Sequence, residues 1–294
     1  MNGGRERSNR FPKTPQTRVP TIGTRAETGK RAQAALRGLV LGFSLIEVLV
    51  RFWILRLKCG RALTLRDRAQ WLHRACTTIA RRLSMKATPT GPLPASGLIV
   101  SNHLSHLDIL LYSALMPCIF VAKSDVLSWP MFGLLARCGG TIFVERDRRH
   151  SVTDPAAQIA SALTGDIPVV LFPEGTSSDG STVLPFRSAF LQPAVATRTP
   201  IVPAAIAYAV ADGAEADLCY YGDITFFPHL LSVLGRDGIE GRIGFSVEPQ
   251  IYADRKAAAN AAWSEVVRLR EALLMREPSG QEDAPDQLLR GHRG

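Results

Sequence analysis

The sequence predicts an α/β fold: a largely parallel sheet flanked by helices, preceded by an N-terminal membrane-associated helical segment. Three observations carry that expectation. From residue 98 onward, short apolar runs alternate with helix-periodic stretches, the pattern of strands joined by helical crossovers. Residues 168–172, PVVLF, are apolar throughout, as a strand buried on both faces of a sheet should be. Residues 38–57, GLVLGFSLIEVLVRFWILRL, are about long enough to cross a bilayer.

The elements follow in order. Residues 1–35 mix Gly, Pro, Thr and Arg without periodicity, and their basic residues far outnumber Glu6 and Glu27. They read as a disordered basic leader, with no small-residue cleavage pattern of a secretory signal at its end. Residues 36–88 read as membrane-associated and amphipathic helices. Glu47 and Arg51 interrupt the apolar stretch at a spacing that lets them pair across one helical turn. Charges at mid-span are costly, so a tilted, shallow or protein-packed helix is expected; a buried helix of a soluble protein is the competing reading. In residues 64–85, Leu65, Ala69, Leu72, Cys76, Ile79 and Leu83 recur at steps of three and four, a helical period. Residues 88–96 are rich in Pro and Gly and break it.

The catalytic-size domain, residues 89–275, should hold strands at 98–100, 119–122, 141–144, 168–172, 201–208 and 243–247. Helices are expected after His103 and at 129–137, 154–163, 188–196 and 254–275. Residues 276–294 are polar and contain Gly and Pro, the composition of a flexible tail.

The net charge of +9 favours anionic partners. A nucleic-acid partner is not expected: aromatic residues make up 7% of the chain without basic–aromatic interleaving, and much of the excess charge sits in the leader. Five scattered cysteines, Cys59, Cys76, Cys118, Cys138 and Cys219, form no C-x-x-C pair. They suit a reducing compartment and read as free, mostly buried thiols.

Three polar segments lie at strand ends, where open α/β sheets bind their ligands. In Ser101-Asn102-His103-Leu104-Ser105-His106-Leu107-Asp108, the five-residue step from His103 to Asp108 is a poor spacing for one helical face. It works if His103 sits in the turn leaving the strand and Asp108 folds back from the first helical turn. An imidazole held by a carboxylate is a general base, and it needs no protein nucleophile if the substrate brings a hydroxyl. Ser105 or Asn102 could instead cap the helix. A metal cluster of His103, His106 and Asp108 is the weaker reading, because His73, His150, His229 and His292 are distant and isolated.

The second segment, after the strand at 141–144, delivers Arg146, whose guanidinium suits phosphate or carboxylate. In the third, Pro173-Glu174-Gly175-Thr176 turns the chain sharply at the end of an apolar strand. Gly175 lets a ligand approach the backbone, Thr176 can donate to a phosphate or cap a helix, and Glu174 would orient a substrate hydroxyl or brace an Arg. Arg187 lies near the start of the next helix.

In that order, Asn102-His103-x-Ser105-x-x-Asp108, Gly140-x-x-Phe143-Val144-x-Arg146, Phe172-Pro173-Glu174-Gly175-Thr176 and Val202-Pro203-Ala204 resemble the glycerophospholipid acyltransferases, and among them the bacterial 1-acylglycerol-3-phosphate (lysophosphatidate) acyltransferases. The resemblance covers residues 98–251. It implies that His103 is the base on the acceptor hydroxyl, that Asp108 holds its imidazole, and that the alkoxide attacks an acyl-CoA or acyl carrier protein thioester through a tetrahedral oxyanion. It implies contacts to an acceptor phosphate from Arg146 and Lys123, with Glu174, Gly175 and Thr176 completing the pocket, and it implies no metal and no tightly held cofactor. The implied partners are a lysophospholipid acceptor, the acyl donor and membrane lipid, on the cytoplasmic face of a bacterial inner membrane.

One departure bears on the acceptor. Many members of the family follow F-P-E-G-T with Arg, a further phosphate contact, whereas Ser177-Ser178-Asp179-Gly180 follow here. This stretch is also similar to relatives that acylate other lysolipids, including lyso-ornithine lipid. Arg187 could replace the missing charge, so lysophosphatidate leads and lyso-ornithine lipid is the alternative acceptor. A non-catalytic lipid- or carrier-binding protein is the alternative of another class, and the His–Asp pair argues against it.

Overall fold

The computed structural model describes residues 25–129, 131–144 and 155–275. Seven strands form one sheet: β1 (Lys86–Thr90), β2 (Leu98–Ser101), β3 (Ile119–Lys123), β4 (Ile142–Val144), β5 (Val169–Leu171), β6 (Ile201–Ala209) and β7 (Glu240–Phe245). Their spatial order is β1-β7-β6-β2-β5-β3-β4. Every neighbouring pair is parallel except β6 and β7. The largely parallel sheet expected from the sequence is therefore present, with β7 and β1 running against the rest.

Helices cover both faces. Against one face pack α1 (Arg25–Cys59), α2 (Leu65–Arg82), α3 (Leu107–Leu115) and the start and end of α4 (Phe132–Cys138). Against the other lie α5 (Pro155–Leu163), α6 (Gln192–Ala196) and α8 (Arg255–Leu274). A further helix, α7 (Phe226–Leu234), sits in the excursion between β6 and β7 and packs on α1. Strand parity sorts the two faces. Ile99, Val170, Val202, Ala204, Ile206 and Tyr208 enter the core under α1–α3, while Leu98, Val100, Val169, Leu171 and Ile201 enter the one under α5, α6 and α8.

Three local expectations are corrected. The first helix begins at Arg25, so residues 25–35 belong to it and not to the leader. Lys30 pairs with Asp212 at 2.6 Å, and Gln33 donates to Asp237 at 2.5 Å. Polar but helix-favouring Ala, Glu, Lys, Arg and Gln hid this start, because they carry propensity without an apolar period. Second, residues 86–90 are a strand rather than part of a Pro-rich break, so the boundary at residue 89 cuts β1. Pro89 is tolerated because β1 lies at the sheet edge. Third, β7 starts at Glu240, three residues before the expected strand. Its charges are buried in mutual pairing: Arg242 donates to Glu240 at 3.1 Å, and the Thr88 hydroxyl donates to Glu240 at 2.6 Å. The leader before residue 25 and the tail after residue 275 lie outside the described residues.

The apolar helix α1 lies along the body of the domain. Leu41, Leu45, Val48 and Phe52 are buried, and Trp71 of α2 donates its indole N–H to the Val48 carbonyl at 3.0 Å. Arg37 donates to the carbonyls of Leu234 and Arg236 and pairs with Asp237 at 2.8 Å. Glu47 pairs with Arg51 one turn away at 2.5 Å and with Arg82 of α2 at 2.6 Å. The opposite face, with Leu36, Leu39, Phe43, Ile46, Val50, Trp53 and Leu57, is exposed. Within α1 an 18-residue window reaches a mean hydropathy of 2.0, long and apolar enough to cross a membrane by length and composition.

Candidate active site

The parallel strands β6, β2 and β5 are neighbours, so the segments leaving β2 and β5 emerge side by side. The chain leaves β2 through Asn102 and His103 and re-enters helix at Leu107. Asn102 stitches this turn to β6: its amide donates to the Ile206 carbonyl at 3.0 Å and accepts the Ile206 N–H at 2.9 Å. The side chain thus imitates one rung of a strand pair.

Asp108 lies in the first turn of α3, where the helix N-terminus favours a negative charge. It folds back on His103, with Oδ2 2.6 Å from Nδ1. The same oxygen accepts the backbone N–H groups of Leu104 at 2.8 Å and Ser105 at 3.3 Å. The other oxygen, Oδ1, accepts the hydroxyl of Tyr208. Asp108 is wholly buried, whereas the His103 side chain is 23% exposed. The imidazole stacks on Phe172 of the β5 exit, with ring centroids 4.2 Å apart and planes 14° from parallel. One ring nitrogen is therefore tied to the carboxylate and the ring plane is fixed, which leaves Nε2 as the edge that can exchange a proton with a ligand.

The cap expected of Ser105 is not made. Its hydroxyl is buried without a partner, and the loop N–H groups go to Asp108 instead. His106 is not a second base. Its ring packs against Tyr220, Phe226 and His229, and burial, aided by His229 and His103, pushes its pKa down to about 3. Among the described residues, no three His, Cys, Asp or Glu side chains gather as a metal site.

The β5 exit brings Glu174 into the same region. It is 3% exposed, and neither carboxyl oxygen has a partner of good hydrogen-bond geometry. Burial raises its pKa to about 8; nearby backbone amides of His103 and Leu184 oppose that rise, and Asp108 adds to it. Glu174 thus holds a proton near neutrality and can donate a hydrogen bond. Gly175 takes φ +73°, a left-handed conformation suited to glycine. A Cβ there would come 3.3 Å from the Arg187 guanidinium, so the cation lies against the turn. Thr176 and Arg187 are exposed. Ser177 donates its hydroxyl to the Tyr220 carbonyl, and the Ser178 N–H donates to the His103 carbonyl at 3.0 Å.

Lys123 ends β3, half-buried, in register with Val144 of β4. Arg146, two residues beyond Val144, lies outside the described residues. The structure therefore brings together His103, Asp108, Glu174, Gly175 and Arg187.

Sequence reasoning missed Tyr208, Arg270 and Glu215. Arg270 of α8 is 3% exposed. It donates to the carbonyls of Ile206 at 2.8 Å and Gly180 at 2.5 Å, and it pairs with Glu215 at 2.7 Å. Glu215 in turn accepts the Tyr208 N–H at 2.8 Å. Gly180, at φ +81°, leaves room for this guanidinium, since a Cβ would stand 2.8 Å from it.

A carboxylate-held imidazole thus lies beyond a central strand of an open α/β sheet. Residues 86–207 match the Acyltransferase family model. A lyso-ornithine lipid O-acyltransferase of Brucella abortus (strain 2308) is 34% identical over 81% of this chain and 94% of its own length. A 1-acyl-sn-glycerol-3-phosphate acyltransferase of Neisseria meningitidis serogroup B is 29% identical over 53% of this chain and 62% of its own. The fold is that of PlsC, the 1-acyl-sn-glycerophosphate acyltransferase of Thermotoga maritima: the TM-score is 0.59 at 18% identity, covering 83% of this chain and 99% of that one. The chain belongs to the lysophospholipid acyltransferase family.

Proposed function

We propose that this protein transfers a fatty acyl group from the thioester of acyl-CoA or acyl carrier protein to the free hydroxyl of a lysolipid at a membrane surface. The observation that carries the reading is the His103–Asp108 couple at the β2 exit, with Nε2 left to the substrate side. Nε2 takes the hydroxyl proton as the acceptor oxygen bonds to the thioester carbonyl carbon. Asp108 stabilises the imidazolium that forms. The tetrahedral oxyanion then collapses, the C–S bond breaks, and the imidazolium returns its proton to the leaving thiolate. Glu174, protonated near neutrality, donates a hydrogen bond to the acceptor from beside the couple.

For the acceptor we favour lyso-ornithine lipid. The position after Thr176 carries Ser177, whose hydroxyl is committed to the Tyr220 carbonyl and adds no charge for a phosphate. The Brucella abortus relative, which aligns over most of both chains, supports the same acceptor. Lysophosphatidate is the second reading, supported by Arg187 against the Gly175 turn and by Lys123 at the end of β3, with Arg146 as a further phosphate contact. Membranes containing the protein are offered both lysolipids with labelled acyl-CoA and acyl carrier protein. The expected result is a preference for lyso-ornithine lipid of about tenfold or more, equivalent to ~1.4 kcal/mol. Equal or faster transfer to lysophosphatidate gives the second reading first place.

The exposed stripe of α1 is the membrane contact in this proposal. One face of the helix is held by the protein, so the helix lies in the interface instead of crossing it, on the cytoplasmic leaflet that carries the acyl donors. Burying three exposed apolar side chains is worth about 4 kcal/mol or more. Phe43→Ser, Ile46→Ser and Val50→Ser together are therefore expected to move most of the protein from the membrane pellet to the supernatant, with thermal unfolding unchanged. Full retention in the pellet excludes this face as the anchor.

A further inference from the structure

We propose that Tyr208 is a positioning residue for acyl transfer, its hydroxyl locking the Asp108 carboxylate that holds His103. This rests on the general-base reading of His103. The carboxylate of Asp108 is wholly buried and has donors on both oxygens: Nδ1 of His103 and the N–H groups of Leu104 and Ser105 on Oδ2, and the Tyr208 hydroxyl on Oδ1. Tyr208 supplies the only hydrogen bond to Oδ1 among the described residues. Without it that oxygen loses its partner, and the carboxylate is held through Oδ2 alone.

The hydroxyl is itself placed from outside the motif. Tyr208 stands near the carboxyl end of β6, on the same strand face as Val202, Ala204 and Ile206. Its backbone N–H is held by Glu215, and Glu215 is held by Arg270, which also grips the carbonyl of Ile206. Asn102 grips Ile206 from the other side. The strand that carries Tyr208 and the turn that carries His103 are thus fixed to one residue, so the phenol and the imidazole reach Asp108 from two directions with little freedom. Burial and the neighbouring carboxylate hold the phenol well above its ordinary pKa, so it remains a donor throughout the working range of pH.

Two consequences follow for the chemistry. The hydrogen bond fixes the carboxylate plane that sets the direction of Nε2. It also draws charge from the carboxylate, which moderates how strongly Asp108 favours the imidazolium over the neutral base. Deleting the hydroxyl leaves a stronger anion beside the imidazole, so the base is protonated at higher pH. The other titratable groups around the couple are His106, Glu174, Cys219, Tyr112 and the Glu215–Arg270 pair, of which Glu174, Tyr112 and Cys219 also feel the charge on Asp108.

The test is the pH dependence of kcat/KM for acyl transfer by the full-length protein in membranes. Tyr208→Phe is expected to move the acid limb upward by about 0.5 to 1 pH unit and to lower kcat about tenfold, with KM for the donor nearly unchanged. Tyr112→Phe deletes an equally buried hydroxyl, one that bonds Ser101 at 2.8 Å, and is expected to leave the limb in place. Incorporation of 3-fluorotyrosine at position 208 keeps the fold and strengthens the donor, and it is expected to move the limb downward. A limb that stays put in both Tyr208 variants overturns the proposal, as does a shift shared by Tyr112→Phe. If His103→Ala retains transfer, the general-base reading itself falls. If His103→Ala is inactive while both Tyr208 variants keep the parental limb, only the role of Tyr208 falls.

Discussion

His103→Ala is expected to lower acyl transfer by about a thousandfold, inside the ~10²–10⁴ contribution of a positioned general base, while the protein stays folded. The side chain is partly exposed and stacks on Phe172, so truncation to Ala is expected to leave the fold intact. Asp108→Asn is the companion variant. An amide in place of the carboxylate turns an N–H toward His103 or Tyr208 and disfavours the imidazolium, so it should approach the loss seen for His103→Ala. The two losses should not add, because the couple acts as a unit. Initial rates on membranes, with protein amount and thermal unfolding measured in parallel, check the expectation. Transfer within about threefold of the parent for His103→Ala would assign the base elsewhere.

Arg270→Met should be the most damaging change outside the motifs. The guanidinium is 3% exposed and serves four acceptor atoms: the carbonyls of Ile206 and Gly180 and both Glu215 oxygens. Removing it strands the Gly180 carbonyl and one oxygen of the partly buried Glu215 carboxylate, while Asn102 still serves the Ile206 carbonyl and the Tyr208 N–H the other Glu215 oxygen, a loss of about 3 kcal/mol at the lower end for a broken buried pair. For a chain of this size that corresponds to a fall in Tm of about 6 °C. A second substitution, Glu215→Leu, should restore part of the loss, since the stranded charge is the main cost. Thermal unfolding of the parent, the two single variants and the double variant measures the coupling. A Tm for Arg270→Met within about 2 °C of the parent would show that water satisfies these groups.

Much of the fold and part of the site were legible in the sequence, for different reasons. The central strands β2, β5 and β6 announce themselves because burial on both faces demands unbroken apolar runs. Edge strand β1 did not, since Pro89 reads as a breaker where only one side needs hydrogen bonds. Helix α7 was missed as well: Pro228 interrupts its first turn, where a helix tolerates proline. Within the site, His103–Asp108 and the Pro173–Thr176 turn are local, so spacing alone reveals them. Tyr208 and Arg270 reach the site across 100 and 64 residues of chain. Signals for both existed. Parity along β6 sets Tyr208 on the face of Ile206, and Arg270 falls in the buried phase of α8 with Ala259, Ala262, Val266 and Leu273.

The docking of α1 also has a consequence in time. Gln33 and Arg37 both bond Asp237, 204 and 200 residues further along the chain. At a synthesis rate of about 5–20 residues per second, roughly 10–40 s separate the emergence of the two partners from the ribosome. For most of that interval Leu41, Leu45, Val48 and Phe52 have little beyond the neighbouring α2 to pack on, and a bilayer close to the exit tunnel offers the apolar phase they require. An early helix thus waits for a late partner before its packing is complete, and a nascent chain is exposed to aggregation for as long as that delay lasts.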